Sequence, residues 1–278
     1  MNVFFAVILV MISWAHMSLF PQDLRIYVIT DLEGSAGVQR WEQTRVQGSA
    51  KIEAMSWLTE EVNAAVEGIL DASPGAVVDV WDGHGNGGIL KDKLHPKAHY
   101  MKEEEPRKAL IEGAYSAVFF VGQHAMAGTP FAPLAHTYSS RSIAYYRLNG
   151  FFVGEFGARA ALAGSRGIPV LFVSGDNKTV LEARMWIPGI TGVAVKQGRG
   201  LERAEHLSRD EACRRIRKGA SDACEHRAEI QPLRVDPPYR LEIRYYEPVQ
   251  TVAGHAGEKI IDSRTIELES LDLANLPI

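Results

Sequence analysis

Four short apolar segments, separated by stretches with helical character, constrain the fold of this chain more than any other feature of its sequence. They cover residues 26–31, 76–81, 116–121 and 169–173. Apolar runs of this length are typical of strands that are buried on both faces of a parallel sheet. Residues 50–70, between the first two runs, carry apolar side chains at helical spacing. The pattern therefore predicts an α/β fold with a mainly parallel sheet and helices on both faces.

The sequence changes character after about residue 206. Ser208 and Glu211 have the spacing of a capping box, which predicts a helix that extends to about residue 224. Two stretches of alternating apolar and polar residues follow, and these are typical of half-buried strands. We therefore predict a larger α/β domain at residues 23–206 and a smaller C-terminal α+β domain at residues 207–278.

The first 22 residues differ from the rest of the chain because they form an apolar leader. Residues 1–20 have no charged side chain, and Ser13 and Ala15 are small residues at a plausible cleavage spacing. A stretch of about 20 apolar residues is also close to the length that spans a bilayer. We predict that residues 1–22 are a signal peptide or an anchor and that the protein is exported, either periplasmic or membrane-tethered. A cytoplasmic location is the alternative, and any membrane contact would be through an uncleaved leader.

The net charge argues against nucleic-acid binding, and the cysteine content argues against a disulfide framework or a zinc finger. The formal net charge of −4 offers no basic stripe for nucleic acid. The two cysteines, Cys213 and Cys224, fall several turns apart on one predicted helix, which is too far for a disulfide. We therefore expect neither nucleic-acid binding nor a disulfide framework or zinc finger.

Residues that bind metals follow several of the predicted strands. Because ligands in open α/β sheets lie beyond the carboxyl ends of the strands, these side chains are expected at one edge. Asp31 and Glu33 are two residues apart, so an extended backbone places both carboxylates on the same face. A predicted hairpin at Asn149-Gly150 brings Glu155 to the same edge. The other strand-end candidates are Asp82, His84, His124 and Asp176.

This group of imidazoles and carboxylates predicts a site for one or two divalent cations. Mixed histidine and carboxylate ligands suit zinc better than calcium or magnesium, which prefer oxygen ligands alone. Such a site activates water near neutral pH and polarises a carbonyl or phosphoryl oxygen. The residues thus indicate a metal-dependent hydrolase and leave peptide, phosphate and other ester substrates open.

A series of motifs in this chain resembles the zinc D-aminopeptidases of the DppA type, peptidase family M55. The resemblance runs in order from about residue 26 to residue 197 and continues more weakly through the C-terminal part. The motifs that carry it are DLEGSAG at 31–37, WDGH at 81–84, GQHA at 122–125, AH at 135–136, LNGFFVGE at 148–155, GIPVLFVSGD at 167–176 and VAVKQ at 193–197.

The resemblance implies a two-zinc site, a catalytic histidine and a ring-shaped assembly. His136 would act as nucleophile or general acid/base, and Asp31 would bridge the two metal ions. The family activity is removal of N-terminal D-amino acids, typically D-alanine, from short peptides, and its members resemble ring-shaped homodecamers. The metal ligands implied are Asp31, Glu33, His84, His124 and Glu155.

The chain also departs from this family pattern. Glycines flank His84 at positions 83 and 85, where the family usually has serine or a similar residue. Arg159 stands where the family commonly has asparagine, and we expect it to line the pocket or an interface. Arg141 and Arg159 favour anionic substrates. Two alternatives therefore stay open: a metallohydrolase of another class (amidase, lactonase or phosphatase), and a non-catalytic metal- or ligand-binding protein on the same scaffold.

Overall fold

The computed structural model describes residues 23–101, 105–249 and 258–278. The predicted leader at residues 1–22 lies outside the described residues. Within the part of the chain that is described, no helix combines the length and the apolar character needed to cross a membrane.

The described chain contains six α-helices, twelve strands and three short 3-10 helices. The helices are α1 (Glu42–Arg45), α2 (Ser49–Ala72), α3 (Glu105–Glu112), α4 (Glu155–Ser165), α5 (Asn177–Trp186) and α6 (Arg209–Glu225). The strands are β1 (Arg25–Thr30), β2 (Val77–Asp82), β3 (Ala98–Tyr100), β4 (Ala117–Gln123), β5 (Ile143–Leu148), β6 (Phe151–Val153), β7 (Val170–Asp176), β8 (Thr191–Gly200), β9 (Arg203–His206), β10 (Tyr239–Tyr245), β11 (Lys259–Asp262) and β12 (Thr265–Ser270). The 3-10 helices are Lys91–Lys93, Arg227–Glu229 and Leu273–Asn275.

A seven-stranded sheet in the order β3-β2-β1-β4-β7-β8-β9 forms the centre of the molecule. All its neighbouring strands are parallel except β8 and β9. Ile26 and Val28 of β1 pack in one apolar cluster with α2 and α6, whereas Tyr27 and Ile29 pack in a second cluster with α4. This alternation follows from strand geometry, and it shows that both faces of the sheet are covered. The predicted fold class is confirmed.

A second, antiparallel sheet has the order β11-β12-β10-β5-β6. Strands β5 and β6 form the hairpin predicted at Asn149-Gly150, and both turn residues have positive φ, 48° and 87°. That is the backbone of a two-residue turn that asparagine and glycine favour.

The segment at residues 207–278 contacts both parts of the fold. Its helix α6 packs against α2 on the seven-stranded sheet, and its strand β10 pairs with β5. The second sheet thus combines strands from both sides of the boundary predicted at residue 206.

Candidate metal centre

The candidate ligands meet at the point where the chain reverses its direction across the seven-stranded sheet. Strand β1 lies between β2 and β4, so the chain moves to one side of β1 first and then to the other. Crevices at such switch points are where open α/β sheets bind their ligands. Asp31 and Glu33 follow β1, His84 follows β2, and His124 follows β4.

The loop after β1 lies against the last residues of β4 with no room for a side chain between them. The Asp31 N–H donates to the Val121 carbonyl at 2.9 Å, and the Gly34 N–H donates to the Gly122 carbonyl at 2.7 Å. Gly122 has φ +75°, and a Cβ there would lie 2.1 Å from the Asp31 carbonyl oxygen. Glycine is therefore required at residue 122, both for its backbone conformation and for the close approach of the two loops.

The hairpin and the loop between β4 and β5 supply the remaining candidates. Glu155 is the first residue of α4 and lies immediately after the hairpin. Its Oε1 accepts the backbone N–H of Tyr138 at 2.9 Å, and its Oε2 lies 3.2 Å from Nη2 of Arg159. The N–H of His136 donates to the Ala125 carbonyl at 3.3 Å, which fixes the loop beside the end of β4.

Asp31 occupies the middle of the site. Its Oδ1 lies 3.3 Å from Nδ1 of His84, and its Oδ2 lies 3.2 Å from Nε2 of His124. Glu33 Oε2 is 3.0 Å from the same His84 nitrogen, and Glu155 Oε1 is 3.3 Å from the same His124 nitrogen. The ligand-type atoms fall into two groups, each within 4.8 Å: Asp31, Glu33 and His84 in one, and His124, His136 and Glu155 in the other. A carboxylate with one oxygen towards each group has the geometry of a bridging ligand.

Backbone carbonyls fix the tautomers of the two central imidazoles. The His84 Nε2 lies 3.1 Å from the Thr44 carbonyl oxygen, and the His124 Nδ1 lies 2.9 Å from the Ala125 carbonyl oxygen. Since a carbonyl oxygen only accepts, each of these outer nitrogens carries the hydrogen. In the neutral imidazole, the inner nitrogen of each ring then presents a lone pair to the carboxylates. This is the arrangement of histidine ligands around metal ions.

Electrostatics couple the imidazoles and carboxylates strongly. Burial lowers the pKa of His84, but Asp31 and Glu33 outweigh it and raise that pKa to about 11. The pKa of His124 rises well above its ordinary value in the same way. Burial alone would raise the pKa of Asp31, yet the two imidazoles hold it well below its usual range. A cluster of buried carboxylates thus requires positive charge among them, which protons or metal ions supply.

The buried atoms Glu33 Oε2 and His124 Nε2 make no hydrogen bond of good geometry among the described residues, although each lies 3.0 to 3.3 Å from an imidazole or carboxylate of the cluster. Lone pairs of neutral imidazoles and ionised carboxylates that face one another at this distance need a cation between them, which a metal ion supplies. A donor set of imidazole nitrogens and carboxylate oxygens suits zinc. The residues therefore fit a divalent metal centre.

His136 differs from the other two histidines in its charge state. Its ring stacks on that of His124, with centroids 3.9 Å apart, and its Nε2 lies 3.8 Å from Glu155 Oε1. Its Nδ1 lies 2.9 Å from the Leu134 carbonyl oxygen and therefore carries the hydrogen. Burial and the neighbouring His124 lower the pKa of His136, which keeps its Nε2 free to accept a proton at neutral pH.

The structure does not bring two of the strand-end carboxylates into the cluster. Asp82 turns back to its own loop and accepts the N–H groups of Gly88 and Ile89. Asp176 caps helix α5 through the N–H of Lys178 and the hydroxyl of Thr179. These two strand-end candidates, which the family resemblance does not include among the metal ligands, are held instead by nearby hydrogen-bond donors.

Lys196 supports the site although it was not among the predicted residues. Its buried ammonium donates to the carbonyl oxygens of Glu33, Ser35 and Val38, at 2.5, 2.9 and 2.5 Å. These three carbonyls belong to the loop that carries Glu33. The only signal in the sequence was a lysine within the otherwise apolar stretch VAVKQ at residues 193–197.

The fold and this site together define a metal-binding α/β protein with the ligand set of a metallohydrolase. The sequence profile of the D-aminopeptidase family, peptidase family M55, matches residues 24–276. The chain belongs to this family. The family resemblance and the assignment as a peptidase are thereby confirmed.

One curated relative and one solved structure show the same similarity. The chain is 29% identical over 223 residues to a D-aminopeptidase of Bacillus subtilis (strain 168), which covers 78% of this chain and 79% of that protein. It also superposes on the Zn-dependent D-aminopeptidase DppA from Bacillus subtilis, described as a self-compartmentalizing protease. The TM-score is 0.80 at 24% identity, over 91% of this chain and 93% of that one, so the fold is shared along nearly its whole length.

Proposed function

We propose that this chain is a zinc-dependent aminopeptidase that removes N-terminal D-amino acids, of the D-alanine type, from short peptides. One zinc ion would be held by Asp31, Glu33 and His84, and a second by Asp31, His124 and Glu155. The observation that carries the proposal is the central position of Asp31, whose two oxygens face the two histidines separately. The family membership supports the substrate class.

The residues divide into those that hold the metal and one that moves protons. When bound, zinc lowers the pKa of water and polarises the scissile carbonyl. His136 would accept a proton at Nε2 and deliver it to the leaving amine, because its Nδ1 is held by the Leu134 carbonyl and its pKa is lowered. The Tyr138 N–H and Arg159 hold the Glu155 carboxylate in place.

We also propose that the chain forms a ring-shaped homo-oligomer, with ten subunits as the number that the family resemblance implies. The description of DppA as self-compartmentalizing supports this proposal. Phe151 and Phe152, on the edge strand β6, are 68% and 54% exposed and offer apolar surface for such contacts. Sedimentation of leader-less protein would measure the subunit number, and a monomer at micromolar concentration would contradict the proposal.

The direct test is hydrolysis of D-Ala-D-Ala beside L-Ala-L-Ala by leader-less protein with added zinc. We expect cleavage of the D-dipeptide alone, lost on chelation and restored by zinc. His124→Ala should lose both zinc and activity, and His136→Ala should keep zinc and lose activity. His226→Ala, at an exposed histidine, is the matched control.

The outcomes separate the rival functions. Zinc-loaded protein that cleaves neither dipeptide but hydrolyses an amide, lactone or phosphate would identify a metallohydrolase of another class, which Arg141 and Arg159 in the cavity wall would suit. Zinc binding without any hydrolysis would identify a non-catalytic protein. Export or tethering through residues 1–22 stays a prediction, and fractionation of cells that express the full chain would test it.

A further inference from the structure

The cavity that the candidate metal ligands line has a volume of about 530 Å³, and three arginines also line it. The acidic residues that line it are the candidate ligands Asp31, Glu33 and Glu155. Two divalent cations would more than neutralise these three carboxylates. Among the described residues, every further formal charge in the lining comes from arginine, so the metal-loaded cavity attracts anions. The arginines are Arg45, Arg141 and Arg159.

Arg159 is the deepest of the three and is only 7% exposed. Its guanidinium lies 4.7 Å from the ring centroid of Trp81 and 5.5 Å from that of Tyr138. Its Nη2 pairs with Glu155 Oε2 at 3.2 Å. These contacts hold the planar group in one orientation, which lowers the entropy cost of binding a ligand to it.

The other terminal nitrogen of Arg159 lacks an acceptor. Nη1 is buried and has no hydrogen-bond partner among the described residues. It lies beside Gly83, where an added Cβ would be 3.6 Å away, so the loop that carries His84 presents only backbone at this point. A buried cationic donor without an acceptor is rare in folded proteins. The arrangement calls for an acceptor that the substrate brings.

We propose that Arg159 is a specificity-determining residue whose guanidinium binds a carboxylate group of the peptide substrate. This inference rests on the proposed aminopeptidase function and names the class of peptide that the site prefers. A carboxylate is the acceptor that matches a guanidinium best, because it forms charge-assisted and often paired hydrogen bonds.

The two arginines at the mouth of the cavity would guide the same anion inwards. Neither Arg45 nor Arg141 forms an ion pair with a carboxylate among the described residues. Arg45 donates to the Ser140 hydroxyl and stacks on Trp41, with its guanidinium 3.5 Å from the ring centroid. Burial and then the charge of Arg141 lower the pKa of Arg45, and this outweighs the opposite effect of Glu33 and Glu202.

Two parts of a peptide can supply the carboxylate. In a dipeptide, the C-terminal carboxylate lies about one residue, or about 3.8 Å along the chain, beyond the scissile bond. An N-terminal D-aspartate or D-glutamate supplies one through its side chain instead. Either carboxylate could reach a guanidinium that directly contacts the metal-ligand candidate Glu155. A comparison of substrates that carry only one of the two carboxylates therefore has to show which one binds.

The experiment compares kcat/KM within two pairs of substrates on zinc-loaded, leader-less protein. The first pair is D-Ala-D-Ala and its C-terminal amide, which differ in the terminal carboxylate. The second is D-Glu-D-Ala amide and D-Gln-D-Ala amide, which differ in the side-chain carboxylate. We expect a preference for the carboxylate of about ten- to a hundredfold in one pair, as for a charge-assisted hydrogen bond. The pair that shows it identifies the source.

Three variants then assign the preference to Arg159. In Arg159→Gln the preference for the carboxylate substrate should disappear, because kcat/KM falls for that substrate alone. Arg159→Lys should keep part of it, because lysine retains the charge but not the planar fork. Arg184→Gln changes an exposed arginine of α5 and should leave both pairs unchanged. Zinc content is measured for every variant.

The outcomes separate failure of the inference from failure of the function. Equal kcat/KM within both pairs for the unaltered protein would overturn the role of Arg159 while leaving the aminopeptidase function intact. An equal loss for both members of a pair in Arg159→Gln would overturn it too, because the residue would then only position Glu155. Absence of zinc-dependent cleavage of every D-peptide would instead refute the proposed function itself.

Discussion

Lys196 provides the sharpest test of how the metal site is supported, because one buried ammonium holds the loop that carries Glu33. Its side chain is 2% exposed and donates three hydrogen bonds to carbonyls between residues 33 and 38. Glu61, also buried, accepts the Ala36 N–H of the same loop at 2.7 Å. Burial lowers the pKa of Lys196 to about 8, so it still carries its charge at pH 7.

We expect Lys196→Met to destabilise the protein and weaken zinc binding together. Methionine keeps the length and apolar contacts of the side chain but removes all three donors. A buried acceptor left without a partner costs about 1–3 kcal/mol, and Lys196→Met leaves three carbonyls without their donor. The free energy of unfolding should therefore fall by about 3 kcal/mol or more. Zinc affinity should also fall, since Glu33 would lose its fixed position.

Urea unfolding at one protein concentration measures the first effect, and competition with a chelator measures the second. Lys218→Met is the matched control, because that lysine is 74% exposed at its side chain and contacts only Asp222 across one turn of α6. The control should change stability by less than about 0.5 kcal/mol. A Lys196→Met protein as stable as the control and with unchanged zinc affinity would refute the reasoning.

Three further predictions follow from the buried groups and the close contacts around the site. Burial raises the pKa of Glu61 to about 7 from an ordinary 4.5, so the stability tied to its protonated form is present below pH 4.5 and lost as pH rises to 7. The free energy of unfolding of Glu61→Gln, relative to that of the unaltered protein, should therefore rise by up to about 3 kcal/mol between these pH values. Urea titrations measure this difference, and a difference that does not change with pH would contradict the prediction. The neighbouring carboxylates raise the pKa of His84 to about 11 despite burial, so zinc must displace a proton from it. Zinc affinity should therefore fall as pH is lowered, by about tenfold per pH unit for each proton released. Zinc affinity that does not change with pH would show that binding releases no proton. Gly122→Ala should prevent zinc binding, because its Cβ would meet the Asp31 carbonyl. Gly128→Ala is the control, since Gly128 has a similar positive φ and no atom within 4 Å, and it should lower the free energy of unfolding by only about 1–2 kcal/mol. Equal effects of the two substitutions in thermal unfolding would show that the clash is unimportant.

The central sheet was predictable because its strands are buried on both faces. Continuous apolar runs at residues 26–31 and 76–81 led to β1 and β2 within one residue. The short strands β3 and β9 were not predicted, since they are polar or half-exposed and too brief to show a pattern. The pairing of β5 with β10 joins segments about a hundred residues apart, and alternation alone does not reveal which strands become partners.

The site was predictable in its residue types and only partly in its geometry. Ligand residues at the ends of neighbouring parallel strands must converge, and this rule correctly predicts that Asp31 and His124 lie close together. The rule does not separate these residues from the strand-end candidates Asp82 and Asp176, of which Asp82 accepts N–H groups of its own loop and Asp176 caps α5. Whether a strand-end carboxylate binds a metal or caps a turn depends on the path of the next few residues, which the sequence pattern does not determine.

Arg159 shows which part of the site the sequence predicts and which part it does not. Glu155 and Arg159 are four residues apart, so a helix that begins at residue 155 places their side chains on one face and predicts their contact. Helical spacing gives no information about Trp81 and Tyr138, which reach the guanidinium from β2 and from the loop before β5. It is these aromatic rings, from separate segments, that turn an ordinary helical ion pair into a buried cation with a free donor. The specificity of the site therefore arises from tertiary packing around a contact that is local in sequence.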